Sequence, residues 1–347
     1  MKNMEHRDNC FDIIRLFAAI TVIISHQYSL SGLSEPIFLG MSTYGGVAVI
    51  VFFAISGFLI TKSCMRSQGF ISYISKRARR IFPALLPCAI FMYLVLGVYL
   101  RWGDLSSYIN ISILKNIISV VTIQGAPPHS GIFDGFIHPY SLNDSLWTLP
   151  LEFLCYLLLG VVFFLFKNAL KAMLISFVVL FIISIYLLFN KTSIVFFGVV
   201  LQALPVRALS FLTGAVMALT ISYWNDKKIK KYIFMISFFI LLSVAYKNEI
   251  NVLGYILLSI ITIVVGCSFK DQIISGRFDY SYGIYIYSFP VQQFIINKLQ
   301  FEFYFGMFVS IIVSIFFGFL SWHFVESKFL KVNKSYVKKH DVLGQST

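Results

Sequence analysis

Long apolar runs, separated by short polar stretches, fill the chain from Phe11 to about residue 330. Ten of them have the roughly 20-residue length that a helix needs to cross a hydrocarbon core. They fall at about 11–30, 44–63, 81–100, 146–166, 170–189, 204–224, 232–247, 250–268, 281–299 and 302–325. The pattern predicts an all-α polytopic membrane bundle of about ten transmembrane helices. One membrane-embedded domain is expected over 1–330, followed by a polar, basic tail at 331–347. The first run is interrupted by Arg15 and lacks a small-residue cleavage site, so it is expected to be a retained helix. One connection is long, about 101–145. It holds an amphipathic stretch, Tyr108 to Ile123, and then the irregular Gln124-Gly-Ala-Pro-Pro-His-Ser-Gly131. Connections of this length are usually functional or disordered, and this one has the makings of a roof over a cavity. His129, Asp134, His138 and Asp144 lie in it, where a solvated side chain is the expected state.

Composition sharpens the membrane reading. Hydrophobic residues make up 58% of the 347 and charged residues only 12%, against about a quarter charged in a soluble domain. The net charge of +13 would suit nucleic acid, but its placement argues against such a partner. With the N-terminus inside, Lys and Arg outnumber those of the opposite side by roughly four to one. That bias predicts both termini in the cytoplasm, with anionic membrane lipid as the partner of the surplus charge. The five cysteines, Cys10, Cys64, Cys88, Cys155 and Cys267, fall inside spans or at their inner ends. No disulfide framework and no metal site is expected from them.

Against this apolar background the ionisable residues within spans stand out, because each is costly to keep there. Arg15 and His26 lie in the first span. Eleven helical steps bring His26 back to within about 20° of Arg15, about 16 Å further along the axis. Ala19 and Val22 complete the stripe. Glu152 enters the fourth span in Ser145-Leu-Trp-Thr-Leu-Pro-Leu-Glu152 at a depth similar to that of His26. A Glu152–His26 bond would orient the imidazole and raise its basicity, leaving the other nitrogen to accept a proton. The same bond would equally serve to hold two helices together. Asp12 and Glu326 are candidate partners of Arg15, which otherwise would face a cavity and hold an anion. Lys76-Arg77-Ala-Arg79-Arg80, expected at the end of an inner loop, supplies four cations within five residues. Orientation alone accounts for some of them, and phosphate binding accounts for a cluster so dense. A phosphorylated cytoplasmic ligand such as a coenzyme A thioester would suit it. In the second span Gly46, Ala54, Ser56 and Gly57 form a small-residue set, either a packing face or a wall past which a thin ligand runs. Neither a Walker sequence nor a Gly-x-Ser-x-Gly elbow is present.

Taken together these residues resemble acyltransferase family 3, integral membrane O-acyltransferases of cell-surface polysaccharides. Arg15 and His26 match its Arg-x10-His pattern. Phe52-Phe-Ala-Ile-Ser-Gly-Phe-Leu-Ile-Thr61 resembles its second-helix motif, and Arg77-Ala-Arg-Arg80 followed by Ile-Phe-Pro its inner-loop motif. Ser145 to Glu152, Ser281-Tyr-Gly-Ile-Tyr-Ile-Tyr-Ser-Phe-Pro290 and His323-Phe-Val-Glu326 resemble later motifs. One departure is Ser288, where many relatives carry His. The resemblance implies an enzyme of the bacterial inner membrane that moves an acyl group, most often acetyl, from acyl-CoA to a hydroxyl of a lipid-linked or polymerised glycan. Acyl-CoA would dock on Arg77, Arg79, Arg80, Arg15 and Ser56. His26, Glu152 and Arg15 would carry the chemistry, His26 acting either as general base or as an acylated intermediate. A transporter that moves glycan or solute without acyl chemistry is the competing reading; the related halves that would favour it are not visible.

Overall fold

The structure, a computed structural model, describes residues 9–129, 131–189, 195–196, 199–200, 203–245 and 251–330. The basic tail expected at 331–347 and the first eight residues, on which the sidedness of the termini bears, lie outside the described residues. Helices make up about three quarters of what is described. The first, α1, spans Phe11–Leu30. It leads through a two-residue antiparallel pairing, Ile37–Phe38 with Ser42–Thr43, into α2, Tyr44–Met65. The Thr43 hydroxyl accepts from the Gly46 amide and caps α2.

α3 covers Phe70–Ile90 and runs on through a π-helical turn, Phe91–Leu96, to Gly97–Leu100. The basic cluster expected in a loop therefore sits on the early turns of a helix. Lys and Arg are good helix formers, and nothing between Gly69 and Pro83 interrupts them. Pro83 and Pro87 lie inside the helix, as prolines do where neighbouring helices restore the lost backbone bonding.

In the long connection the amphipathic stretch forms α4, Ile111–Val121, which packs against α3. His129, expected to be solvated, is buried instead. Its ring lies edge-on to Tyr108 at 4.9 Å and its nitrogens bond Asn116 and the Tyr108 carbonyl. It pins the connection to α4. A 3₁₀ turn, Asp144–Trp147, then opens α5, Thr148–Leu165, with Asn143 capping the turn through the Ser145 amide.

The rest of the bundle is α6, Ala169–Phe189, α7, Ala203–Leu219, α8, Lys227–Val244, α9, Asn251–Gly266, α10, Ser281–Phe294, and α11, Phe303–Ser321. Asp226 caps α8 and Glu302 caps α11. π-Helical turns prolong α10 (Ile295–Leu299) and α11 (Trp322–Glu326).

Each of the ten expected spans overlaps a helix among the described residues. By length and composition six helices are apolar and long enough to cross a membrane: Phe11–Leu30, Tyr44–Met65, Phe70–Leu100, Asp144–Leu165, Ala169–Leu187 and Phe303–Leu330. α10 is the instructive exception. Every residue from Ser281 through Gln293 is buried, so it is enclosed by protein and not by lipid. Its polar groups find partners there. The Tyr282 hydroxyl bonds the Ile81 carbonyl on α3, and the Gln292 amide bonds the Ile23 carbonyl on α1.

The tightest crossing joins α2 to α7. A Cβ added at Gly57 would lie 1.9 Å from the Phe211 carbonyl oxygen, and one at Gly214 would lie 2.1 Å from that of Ala54. Gly57 thus belongs to a packing face, which lets the two backbones meet.

Candidate active site

Two polar clusters form, one at each end of the α1 stripe. At the Arg15 end, the Arg15 guanidinium donates to the Asp279 carboxylate at 2.7 Å. Arg80 donates to the same Asp279 oxygen at 2.6 Å and, through its other terminal nitrogen, to Glu326 at 2.6 Å. Ser281 donates its hydroxyl to the second Asp279 oxygen, and Ser321 to the second Glu326 oxygen. Two cations and two carboxylates balance. Burial alone would push the Asp279 carboxyl up, but Arg15 and Arg80 outweigh it and hold it well below the usual carboxylate range. The network ties the starts of α1 and α10 to α3 and to the π-helical turn after α11. The sequence suggested Glu326 as a partner of Arg15; the structure places Asp279 between Arg15 and Arg80 and joins Glu326 to Arg80.

The other members of the basic cluster are not neutralised in this way. Arg77 donates to the Ser63 hydroxyl at 3.3 Å and leaves its Nε buried without a partner. Lys76 donates to the Ser67 hydroxyl at 3.1 Å. Arg79 makes no ion pair or hydrogen bond among the described residues. Lys76, Arg77 and Arg79 are therefore the cations with charge to spare for an incoming anion.

Between the two ends a narrow cleft of about 40 Å³ opens among α1, α2, α5 and α10. Arg15, Phe52, Thr148, Glu152, Ser281 and Tyr285 are on its walls. Glu152 accepts from the Ser56 hydroxyl at 2.7 Å and from the Tyr156 hydroxyl. Ser56, Glu152 and Arg15 are thus brought to one region. His26 and Glu152 are not: no hydrogen bond or ion pair joins them. The reason is azimuth. Similar depth on two helices does not say which way each side chain points, and the face of α5 carrying Glu152 and Tyr156, four residues apart, turns towards α2.

At the other end His26 lies edge-on to Phe289 of α10, ring centroids 5.3 Å apart. Its Nδ1 is buried and has no hydrogen-bond partner among the described residues. Two side chains of the long connection, His138 and Asp144, stand near it, His138 on the same Phe289 ring. These two form a pair, His138 Nε2 to Asp144 Oδ2 at 2.8 Å. The His138 ring also packs edge-on against Phe289, at 6.0 Å, so the two imidazoles share contact with one phenyl ring. The Gln293 amide fixes the His138 carbonyl at 2.6 Å. Sequence reasoning left His138 and Asp144 among solvated loop residues. Their only signal was position, just ahead of the motif that carries Glu152. Ser288, the departure from the family pattern, is fully buried and donates to the Tyr285 carbonyl of its own helix at 3.3 Å.

Among the described residues no group of three His, Cys, Asp or Glu side chains could hold a metal ion. What the arrangement offers instead is a half-buried imidazole whose Nδ1 has no partner among the described residues, and a carboxylate–imidazole pair near it. Spare cations lie at the far end of the bundle.

An acyltransferase domain family matches residues 8–323. An O-acetyl transferase of Shigella phage Sf6 is 42% identical over 327 residues, which is 94% of this chain and 97% of that protein. Nodulation protein 10 of Rhizobium leguminosarum bv. viciae is 34% identical over 165 residues, covering 44% of this chain and 43% of that one. No solved structure matches. The chain is a membrane acyltransferase and belongs to acyltransferase family 3.

Proposed function

We propose that this protein is an acyl-CoA-dependent O-acetyltransferase of the bacterial inner membrane, acting on a sugar hydroxyl of a cell-surface glycan such as O-antigen, capsule or exopolysaccharide. The observation that carries the reading is the His26 imidazole, half-buried in the bundle, with its Nδ1 buried and unpartnered among the described residues. A histidine kept only for structure is ordinarily hydrogen-bonded, as buried polar groups are. The name of the phage relative supports acetyl as the acyl group.

The chain crosses the membrane ten times, with both termini in the cytoplasm. Acetyl-CoA docks at the cytoplasmic face, its phosphates on Arg77, Arg79 and Lys76. Arg80 and Arg15, balanced by Asp279 and Glu326, shape the entrance. The pantetheine arm enters the cleft lined by Arg15 and Glu152, where Ser56 anchors the Glu152 carboxylate. At about 40 Å³ the cleft has room for about one water, so donor entry requires the side chains around Phe52 to part. A glycan hydroxyl reaches His26 from the outer side. The imidazole takes its proton while the oxygen attacks the thioester carbonyl. The C–S bond breaks and coenzyme A leaves as the thiol with that proton.

The test uses purified protein in nanodiscs with radiolabelled acetyl-CoA and de-O-acetylated surface polysaccharide from the producing cell. His26→Ala is expected to abolish transfer without changing the yield or melting temperature of the protein. Arg77→Ala and Arg79→Ala are expected to weaken acetyl-CoA binding. Normal O-acetylation by His26→Ala would overturn the assignment. Movement of polysaccharide with no labelled product would point to a transporter.

A further inference from the structure

Beside the His138–Asp144 pair lies a second cavity, of about 260 Å³, which the acyl-transfer reading leaves unassigned. Its walls come from the irregular stretch that follows α4 and from the turn that opens α5. Gln124, Pro127 and Pro128 form one side; Tyr140, Asp144 and Trp147 form the other. We infer that this cavity is the acceptor subsite and seats one neutral sugar ring of the glycan, an inference that rests on the acyl-transfer reading above.

The chemistry of the walls supports a sugar. Trp147 and Tyr140 offer aromatic faces, whose negative quadrupole attracts the electropositive C–H face of a pyranose. The Arg207 guanidinium lies over the Trp147 ring at 5.2 Å and braces it. Gln124 supplies an exposed amide, which both donates and accepts. One oxygen of Asp144 is taken by His138, and the other has no partner among the described residues. A carboxylate oxygen of this kind accepts from a sugar hydroxyl. Asp144 is also the one charged residue on these walls, which disfavours an acidic sugar. The volume is below the roughly 300–1,000 Å³ typical of drug-sized ligands, so it suits a single ring and not a longer saccharide.

Position ties the cavity to the chemistry. Asp144 belongs to its wall and to the His138 pair, and His138 and His26 flank the same phenyl ring. A ring held against Asp144 is thus placed at the His26 end of the bundle, away from the cations proposed for the donor.

Tyr140 is 78% exposed and Gln124 is exposed as well, so both can be changed without disturbing the core. In the nanodisc assay, Tyr140→Ala is expected to raise the KM for de-O-acetylated polysaccharide about tenfold, the loss of roughly one stacking interaction. Gln124→Ala is expected to raise it by a smaller factor. The KM for acetyl-CoA should stay unchanged in both. Trp102→Ala, which removes another exposed aromatic of the same connection, should leave the polysaccharide KM where it was. If neither Tyr140→Ala nor Gln124→Ala moves the polysaccharide KM, or if Trp102→Ala moves it as far, the subsite is wrong while acyl transfer stands. If the wild-type protein binds acetyl-CoA yet labels no polysaccharide, both readings fall.

Discussion

Asp279 holds two guanidiniums on one carboxylate oxygen, and its side chain is only 14% exposed. Removing its charge leaves Arg15 and Arg80 short of a counter-ion. Asp279→Asn is therefore expected to destabilise the protein by about 3–5 kcal/mol, read as a lower melting temperature in detergent. Its folded pKa is depressed, so its stabilising effect is fully present above the unfolded carboxylate value of about 3.9 and fades as pH falls below it. Melting temperature should accordingly be insensitive to this group between pH 5 and 8. Arg79 and Arg80 should behave differently, although they are adjacent. Arg80→Ala breaks the network and lowers stability, whereas Arg79→Ala is expected to raise the acetyl-CoA KM with little change in melting temperature. Parallel melting curves and donor titrations separate the two. At this scale the sequence disclosed the outliers and concealed their partners. Arg15, His26 and Glu152 were legible because an ionisable group in an apolar run is conspicuous. Asp279 was not, because it lies in a polar connection where a carboxylate is unremarkable. His138 and Asp144 were hidden for the same reason.

The helices depend on a few close approaches between backbones. Gly57 and Gly214 set the crossing of α2 and α7, with no room for a methyl group on either side. Gly57→Ala is expected to cost about 1–3 kcal/mol through overpacking and to lower the yield of folded protein on size-exclusion chromatography. Ser56 is next in sequence, so the same shift would also disturb its bond to Glu152, and acetyl transfer should fall with stability. Helix positions were readable from hydropathy because each apolar run is long enough for several helical turns and is bounded by polar residues. The start of α3 was not, because its basic first turns look like a loop yet have no breaker before Pro83. The orientation of α5 was not readable either: depth follows from counting residues, while azimuth is set by what packs alongside.

For the bundle as a whole the Lys and Arg bias predicts a direction across the membrane. The expected arrangement puts Asp104, in the long connection, on the outer side and Lys228, at the start of α8, on the inner side. Both are exposed, and the five native cysteines are buried, which keeps background labelling low. A membrane-impermeant maleimide should react with Asp104→Cys in intact cells and with Lys228→Cys only after permeabilisation. Labelling of both from outside would remove the ten-span arrangement. At this scale the expectation rests on the sequence alone, through the asymmetry of Lys and Arg along the chain.

The widened turn at Trp322–Glu326 accommodates one residue more than a regular helical turn would. Phe324 within it is 62% exposed. If the same residues were all wound at normal pitch, everything beyond would swing by about 100°. The Glu326 carboxylate would then leave Arg80 facing a gap, with every side chain of the network still encoded. The extra residue absorbed by this turn thus sets the phase on which the salt-bridged end closes, and a further residue inserted there without more widening would be enough to undo it.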